Sequence, residues 1–476
     1  MTRAGRHRFE TLSRCATIAA IIAAAAVFLA LLGLNLVNRR FYVGSAGDIL
    51  YYFALPATLA AASLAALALP RAWRVAVALC FVAVVPGLYG AELYLTLAAR
   101  ARLAAPATDG APPDGRSKLE VIADLRRAGT VAYPTVRAKD LLVDGENDRL
   151  VSPIAAQAQP LLPLASVPEH TVVACNETGR WLTYRSDRHG FHNPPEAWAG
   201  RPAVALVGDS FVHGDCVPSD SNLGALLRRR YDRVLNLGVA GAGPLSELAS
   251  IKEYLPELAP PTVVWFFFEG NDITKDLPVE RRSEILMSYL KADARQDLAR
   301  RRDEVSRTLA AYLDRHMEDA IGAIDHPFEA IVDYLQLDHL RETFGLDDIA
   351  LGLLGNAAED EIELFRAVLG EARRTVGAWS GRLVFVYLPD STRYFASPRH
   401  GRIRDHVRDR ILAAVRDVGL PVVDIHAAFA AHPDPTSLFY FPWSHFNEEG
   451  YRVVAAAVER AIGPPSPEPS ASVVRP

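Results

Sequence analysis

Lysine is scarce in this chain. Of 51 basic residues only five, at positions 118, 139, 252, 275 and 291, are lysine. Basic charge is not in excess either, since 56 Asp and Glu leave a net charge of −5. No basic stripe offers a phosphate-neutralising face, so nucleic-acid binding is set aside. Four cysteines in 476 residues exclude a small disulfide-framework protein. A hydrophobic share of 50% against 22% charged excludes a disordered or fibrous chain. The length corresponds to about three domains, and no internal repeat is visible.

What is present divides sharply near residue 100. Three apolar runs, 16–37, 49–69 and 75–98, open the chain. The first two carry no charge and are long enough to cross the hydrocarbon layer as helices; the third is charge-free until Glu92. None shows the polar stripe of a soluble helix. A cleaved signal peptide is the rival reading of the first run. Arg3, Arg6, Arg8 and Arg14, with Arg71 and Arg74, outweigh Arg39, Arg40, Arg100 and Arg102 and favour a cytoplasmic amino terminus. The expected protein is a multi-pass inner-membrane protein whose remainder, from about residue 100, lies outside the cytoplasm, in the periplasm or beyond. Cys15 and Cys80 fall in the membrane region, whereas Cys175 and Cys216 are alone in the outer part, where disulfides persist, and are expected to pair.

Residues 101–116, rich in Ala, Pro, Gly and Asp, read as a linker, and 463–476 as a disordered tail. Between them, 117–200 reads as a turn-rich lead-in and 201–462 as the main domain. Five short apolar runs, Ala203–Val207, Val234–Leu237, Val263–Phe268, Leu383–Tyr387 and Pro421–Ile425, alternate with helical patterns. Continuous rather than alternating, they predict a parallel sheet covered on both faces, an α/β domain of three layers. The stretch 275–380 is too long for a loop and reads as a helical insertion beside the site, either scaffold or lid.

Chemistry gathers at the strand ends. Gly208-Asp209-Ser210 follows the first strand, where open α/β sheets place reactive groups. Val212 occupies the last position of a Gly-x-Ser-x-Gly elbow, so the α/β-hydrolase motif is a poor match. The second strand leads into Gly238, Gly241 and Gly243, and the third into Gly270-Asn271-Asp272, whose amide can donate to an oxyanion. His445 precedes the last helix, with Asn447 as its cap. Singly, each block has a plain structural reading. The pair His189 and His192 lacks a third ligand and reads as structural rather than metal-binding. Glu269, at a strand end, reads as a paired structural acid or a wall of the site.

In this order, Gly208-Asp209-Ser210, Gly241, Gly270-Asn271-Asp272 and His445 with Asn447 and Gly450 resemble the SGNH superfamily of GDSL-type esterases. The resemblance implies a flavodoxin-like α/β/α fold with a five-stranded parallel sheet. It makes Ser210 the nucleophile and His445 the general base. The Ser210 N–H, the Gly241 N–H and the Asn271 side chain would form the oxyanion hole. No metal or organic cofactor is required by such chemistry. One departure stands out: the family's Asp two or three residues before the histidine is replaced by Trp443 and Pro442. A Ser–His dyad or another acid would then serve; Asp424 and Asp434 are nearest in sequence, and they also read as a strand-end cap and a turn residue.

The leading expectation is a membrane-anchored serine esterase removing acyl, foremost acetyl, groups from carbohydrate esters. One alternative is an O-acyltransferase acting on exported or envelope polysaccharide with a membrane partner protein. Another is a non-catalytic glycan-binding domain, which the missing Asp would favour.

Overall fold

The computed structural model describes residues 3–37, 39, 49–103, 112–156, 159–325, 331–332, 334–344, 355–395 and 398–464. Residues 104–111 of the expected linker and 465–476 of the expected tail lie outside these. The chain divides into two compact units, one of residues 1–102 with 326–358, the other of 103–325 with 359–476.

In the first unit, three helical stretches are long and apolar enough to cross a membrane: Thr11–Val37, Ile49–Ala66 and Arg71–Ala98. Their apolar residues face outward, as lipid contact requires; Leu79, Val82 and Leu97 are exposed. The third helix starts at Arg71 and runs on to Leu103, longer than the apolar run alone suggests.

The same unit includes 326–358, the middle of the expected insertion, so that insertion is divided between the two units. Polar contacts explain the grouping. Glu92, fully buried, accepts from the backbone N–H groups of His339 and Leu340 at 3.0 and 2.9 Å, in the first turn of the helix Asp338–Phe344. A carboxylate there satisfies donors that have no partner inside the helix. Gln336 donates to Asn35 Oδ1, and the Tyr89 and Tyr334 hydroxyls each bond a backbone carbonyl of the other segment.

The second unit is built on a five-stranded parallel sheet: β1 (Val204–Val207), β2 (Val234–Asn236), β3 (Thr262–Phe268), β4 (Arg382–Leu388) and β5 (Val422–Asp424), in the order β5-β4-β3-β1-β2. Strand alternation sends Val263, Trp265 and Phe267 into one core, and Val264 and Phe266 into the other. Both faces being covered, these strands are apolar throughout. Removing one such ring, as in Phe266→Ala, costs about 3–5 kcal/mol.

The lead-in adds a small sheet of Ala132–Pro134, Thr171–Val173 and Thr183–Arg185, the last two an antiparallel hairpin. It fastens to the edge of the large sheet through Asn193, whose amide bonds both the N–H and the C=O of Asn236 at 2.9 and 2.7 Å. Asp187 holds Asn193 and Trp198 in turn.

Candidate active site

At the end of β1 the chain turns sharply into the short helix Ser210–His213. Gly208 is confined here, since a Cβ would lie 2.5 Å from Val212 Cγ2 and 3.1 Å from Phe266 Cβ. Asp209 caps the turn, accepting from the Phe211 N–H at 3.0 Å. After β2, Gly241 adopts φ +64°, and a Cβ there would meet the Arg137 side chain at 2.6 Å. Both constraints select glycine. After β3, Asn271 precedes a wide helical turn, Asp272–Asp276, and its side chain makes no capping bond to it. The Asn271 side chain is therefore not engaged as a cap of that turn.

His445 sits ahead of the helix Glu448–Ile462, which Asn447 caps through Glu449 and Gly450. The turn before it places Trp443 at φ +67° and is tied by the Ser444 hydroxyl, which accepts from the Phe441 N–H and donates to its carbonyl. His445 Nε2 lies 2.8 Å from Ser210 Oγ, across 235 residues of sequence. The Phe211 ring packs against the imidazole with centroids 4.8 Å apart.

The acid facing His445 is Glu177, which sequence reasoning missed. Glu177 Oε1 is 2.7 Å from His445 Nδ1, and Oε2 accepts from the His445 backbone N–H at 3.0 Å. Neither acid considered from sequence fills this place. Asp424 caps the helix Ile425–Ala430 and pairs with Arg408; Asp434 caps the turn Pro435–Leu438.

One signal pointed toward Glu177. It stands two residues after Cys175, which is disulfide-bonded to Cys216, six residues past Ser210. Both sulfurs and the Glu177 carboxylate lie within 4.8 Å of one another, a spacing that could ligate a metal only if the sulfurs were free thiolates.

The other singled-out residues have structural roles. His192 bonds the His213 carbonyl and Ser219, and His189 packs on Trp198. Glu269 is buried and paired with Arg393, with Tyr387 and the Asp390 N–H as further donors.

Electrostatics around the site are strongly acidic. Burial alone would lower the His445 pKa, but the Glu177 charge and hydrogen bond outweigh it, with Asp215 and Asp209 adding, and lift it to about 9. Burial pushes Asp209 up to about 7 despite the Phe211 N–H and the charge of His445; the Asp276 and Asp215 charges push it the same way. Glu247 and Asp272 are also driven upward, by burial first and then by neighbouring carboxylates. In this acidic surround a proton on His445 is favoured.

The GDSL-like Lipase/Acylhydrolase family matches residues 206–453, just over half of the chain. A comparison with curated proteins gives no match. Among solved structures, the chain is similar to a lipase/acylhydrolase from Enterococcus faecalis, at 16% identity over 54% of this chain and 94% of that one, with a TM-score of 0.29. It is similar to an acetyl xylan esterase at 11% identity over 55% and 99%, with a TM-score of 0.31. An acetyl-xylooligosaccharide esterase variant from Geobacillus Stearmophilus stands at 14% over 56% and 95%, also with 0.31.

Proposed function

From the premise that the chain belongs to the GDSL-like lipase/acylhydrolase family, we propose that it is a membrane-anchored serine esterase that cleaves acyl groups, foremost acetyl, from carbohydrate esters outside the cytoplasm. The observation that carries this reading is the hydrogen-bonded chain from Ser210 through His445 to Glu177.

In the proposed mechanism, His445 Nε2 takes the hydroxyl proton as Ser210 Oγ attacks the ester carbonyl. The neutral hydroxyl alone is too weak a nucleophile. Nδ1–H donates to Glu177, which fixes the tautomer and the ring plane and stabilises the imidazolium as it forms. The Ser210 N–H, the Gly241 N–H and the Asn271 amide receive the oxyanion. The imidazolium protonates the leaving alcohol, and water then hydrolyses the acyl-serine with His445 again acting as base.

Glu177 supports catalysis over the glycan-binding alternative, whose main argument was a histidine without an acid. The three apolar helices and the arginine bias support an amino terminus in the cytoplasm with the esterase domain beyond the inner membrane.

The test is turnover of a small activated acetate ester by the full chain in detergent, against Ser210→Ala. Serine-dependent hydrolysis supports the reading, and release of acetate from acetylated oligosaccharides then tests the substrate class. Equal background rates from two folded proteins would remove it. Acyl transfer to a glycan hydroxyl without net ester loss would favour the transferase alternative.

A further inference from the structure

Glu177 belongs to the loop between the hairpin strands Thr171–Val173 and Thr183–Arg185, short strands that lie outside the parallel sheet. A hairpin of this size is weakly stable by itself. Yet its loop must place a carboxylate against His445 within a few tenths of an ångström.

Cys216 is where that placement converges. Its sulfur bonds Cys175, two residues before Glu177, with the Cα atoms 5.3 Å apart. The same sulfur accepts from the Glu177 backbone N–H at 3.4 Å. The Cys216 carbonyl accepts from the Tyr440 hydroxyl at 3.2 Å, on the segment leading to His445. Its neighbours Gly214 and Asp215 donate their N–H groups to the Ser210 carbonyl at 3.0 and 3.1 Å. One residue thus touches the segments carrying the nucleophile, the base and the acid partner. Cys216 is buried and held at φ +63°, a conformation that a non-glycine residue keeps only where its surroundings impose it.

We propose that the Cys175–Cys216 disulfide is a positioning element of the esterase, fastening the acid partner Glu177 to the nucleophile's own turn, so that full activity requires an oxidising compartment. The inference rests on the esterase reading above. Its action runs through Glu177 to His445, which also faces Asp215 and Asp209 of the nucleophile turn. Opening the disulfide releases the loop, the carboxylate drifts, and the imidazole loses both its orientation and its nearest negative charge.

The experiment uses the full chain in detergent: oxidised, reduced with a dithiol and reoxidised, and as Cys175→Ala/Cys216→Ala with and without Glu177→Gln. Turnover of the activated acetate ester is followed against pH. The His445 pKa is read separately from its imidazole nitrogen resonances, which need no turnover. Opening the disulfide is expected to lower kcat roughly 10²-fold, the scale of an ångström-sized misplacement, with KM little changed. The acid limb of the pH profile and the His445 pKa both move to lower pH. Adding Glu177→Gln to the cysteine-free chain costs little more, because the two changes remove one effect.

Unchanged turnover, pH limb and His445 pKa in the reduced protein overturn the proposal, as do losses that multiply. Should the cysteine-free chain fail to fold, reversible reduction of the wild type gives the same comparison. If the wild type shows no Ser210-dependent turnover, the esterase reading is what fails. The His445 pKa then decides the positioning: a fall on reduction sustains it, and no change overturns it.

Discussion

The segment ahead of β1 and the segment between β3 and β4 both depart from strand–helix alternation, and they serve different parts of the molecule. The first folds with the five-stranded sheet and brings Glu177 to His445, 268 residues away in sequence. The second sends its middle, 326–358, into the unit of amino-terminal helices, where Gln336 meets Asn35 and His339 meets Glu92. From sequence the lead-in looked structural and the insertion looked like a companion of the site. Periodicity identifies an element, but not the unit that an irregular segment will join.

Predictions that test this contrast run from severe to slight. Ser210→Ala should abolish measurable ester turnover, a loss of at least about 10³-fold, while leaving the thermal transition unchanged. Glu177→Ala should lower kcat roughly 10²–10⁴-fold, whereas Asp424→Asn and Asp434→Asn stay close to wild type. The reverse order, with Glu177 silent, would strip the lead-in of its role. Because Glu177 raises the His445 pKa, wild-type turnover should climb with pH toward about 9, as the imidazole loses its proton. In Glu177→Ala that limb should lie at lower pH.

Asn271→Ala should cost about 10²–10³-fold in kcat with little change in KM, the loss of one oxyanion donor. On the membrane side, Glu92→Ala leaves the first-turn donors of Asp338–Phe344 without an acceptor. It should destabilise the amino-terminal unit by about 1–3 kcal/mol, measured by detergent-dependent unfolding, with ester turnover retained. A turnover loss comparable to that of Glu177→Ala would break the division between the two segments.

The smallest effect concerns the buried acids. Glu247 is held above the usual carboxylate range when folded, so the folded state binds more protons than the unfolded chain. Stability therefore falls as pH rises above about 4.3, the unfolded value. Glu247→Gln should raise Tm by about 2–4 °C at pH 8, with little change at pH 4.5.

Much of the five-stranded sheet was legible in the sequence because fully covered strands are continuous apolar runs, and the five runs became β1 to β5 with small shifts at their ends. Ser210, Gly241, Asn271 and His445 all follow such strands or precede a capped helix, so local signals located them. Glu177 has no such marker. It is one glutamate in the nine residues between two short strands, defined only by contacts with residues far along the chain. The expected cysteine pair held the missing clue, since it links the neighbourhood of Glu177 to that of Ser210. The fate of 326–358 was hidden for a similar reason. Its partners, Glu92 and Asn35, are isolated polar residues in apolar helices, conspicuous in themselves but silent about what they would meet.

The amide of Asn193 carries one more consequence. By bonding both main-chain groups of Asn236, it stands in for another residue at the outer side of β2, the last strand in that direction. An open strand edge is a template on which another chain can register. Here the template is capped at the end nearest Ser210, so intermolecular strand addition meets an occupied position there. Replacing Asn193 would uncover it, and the expected signature is concentration-dependent self-association.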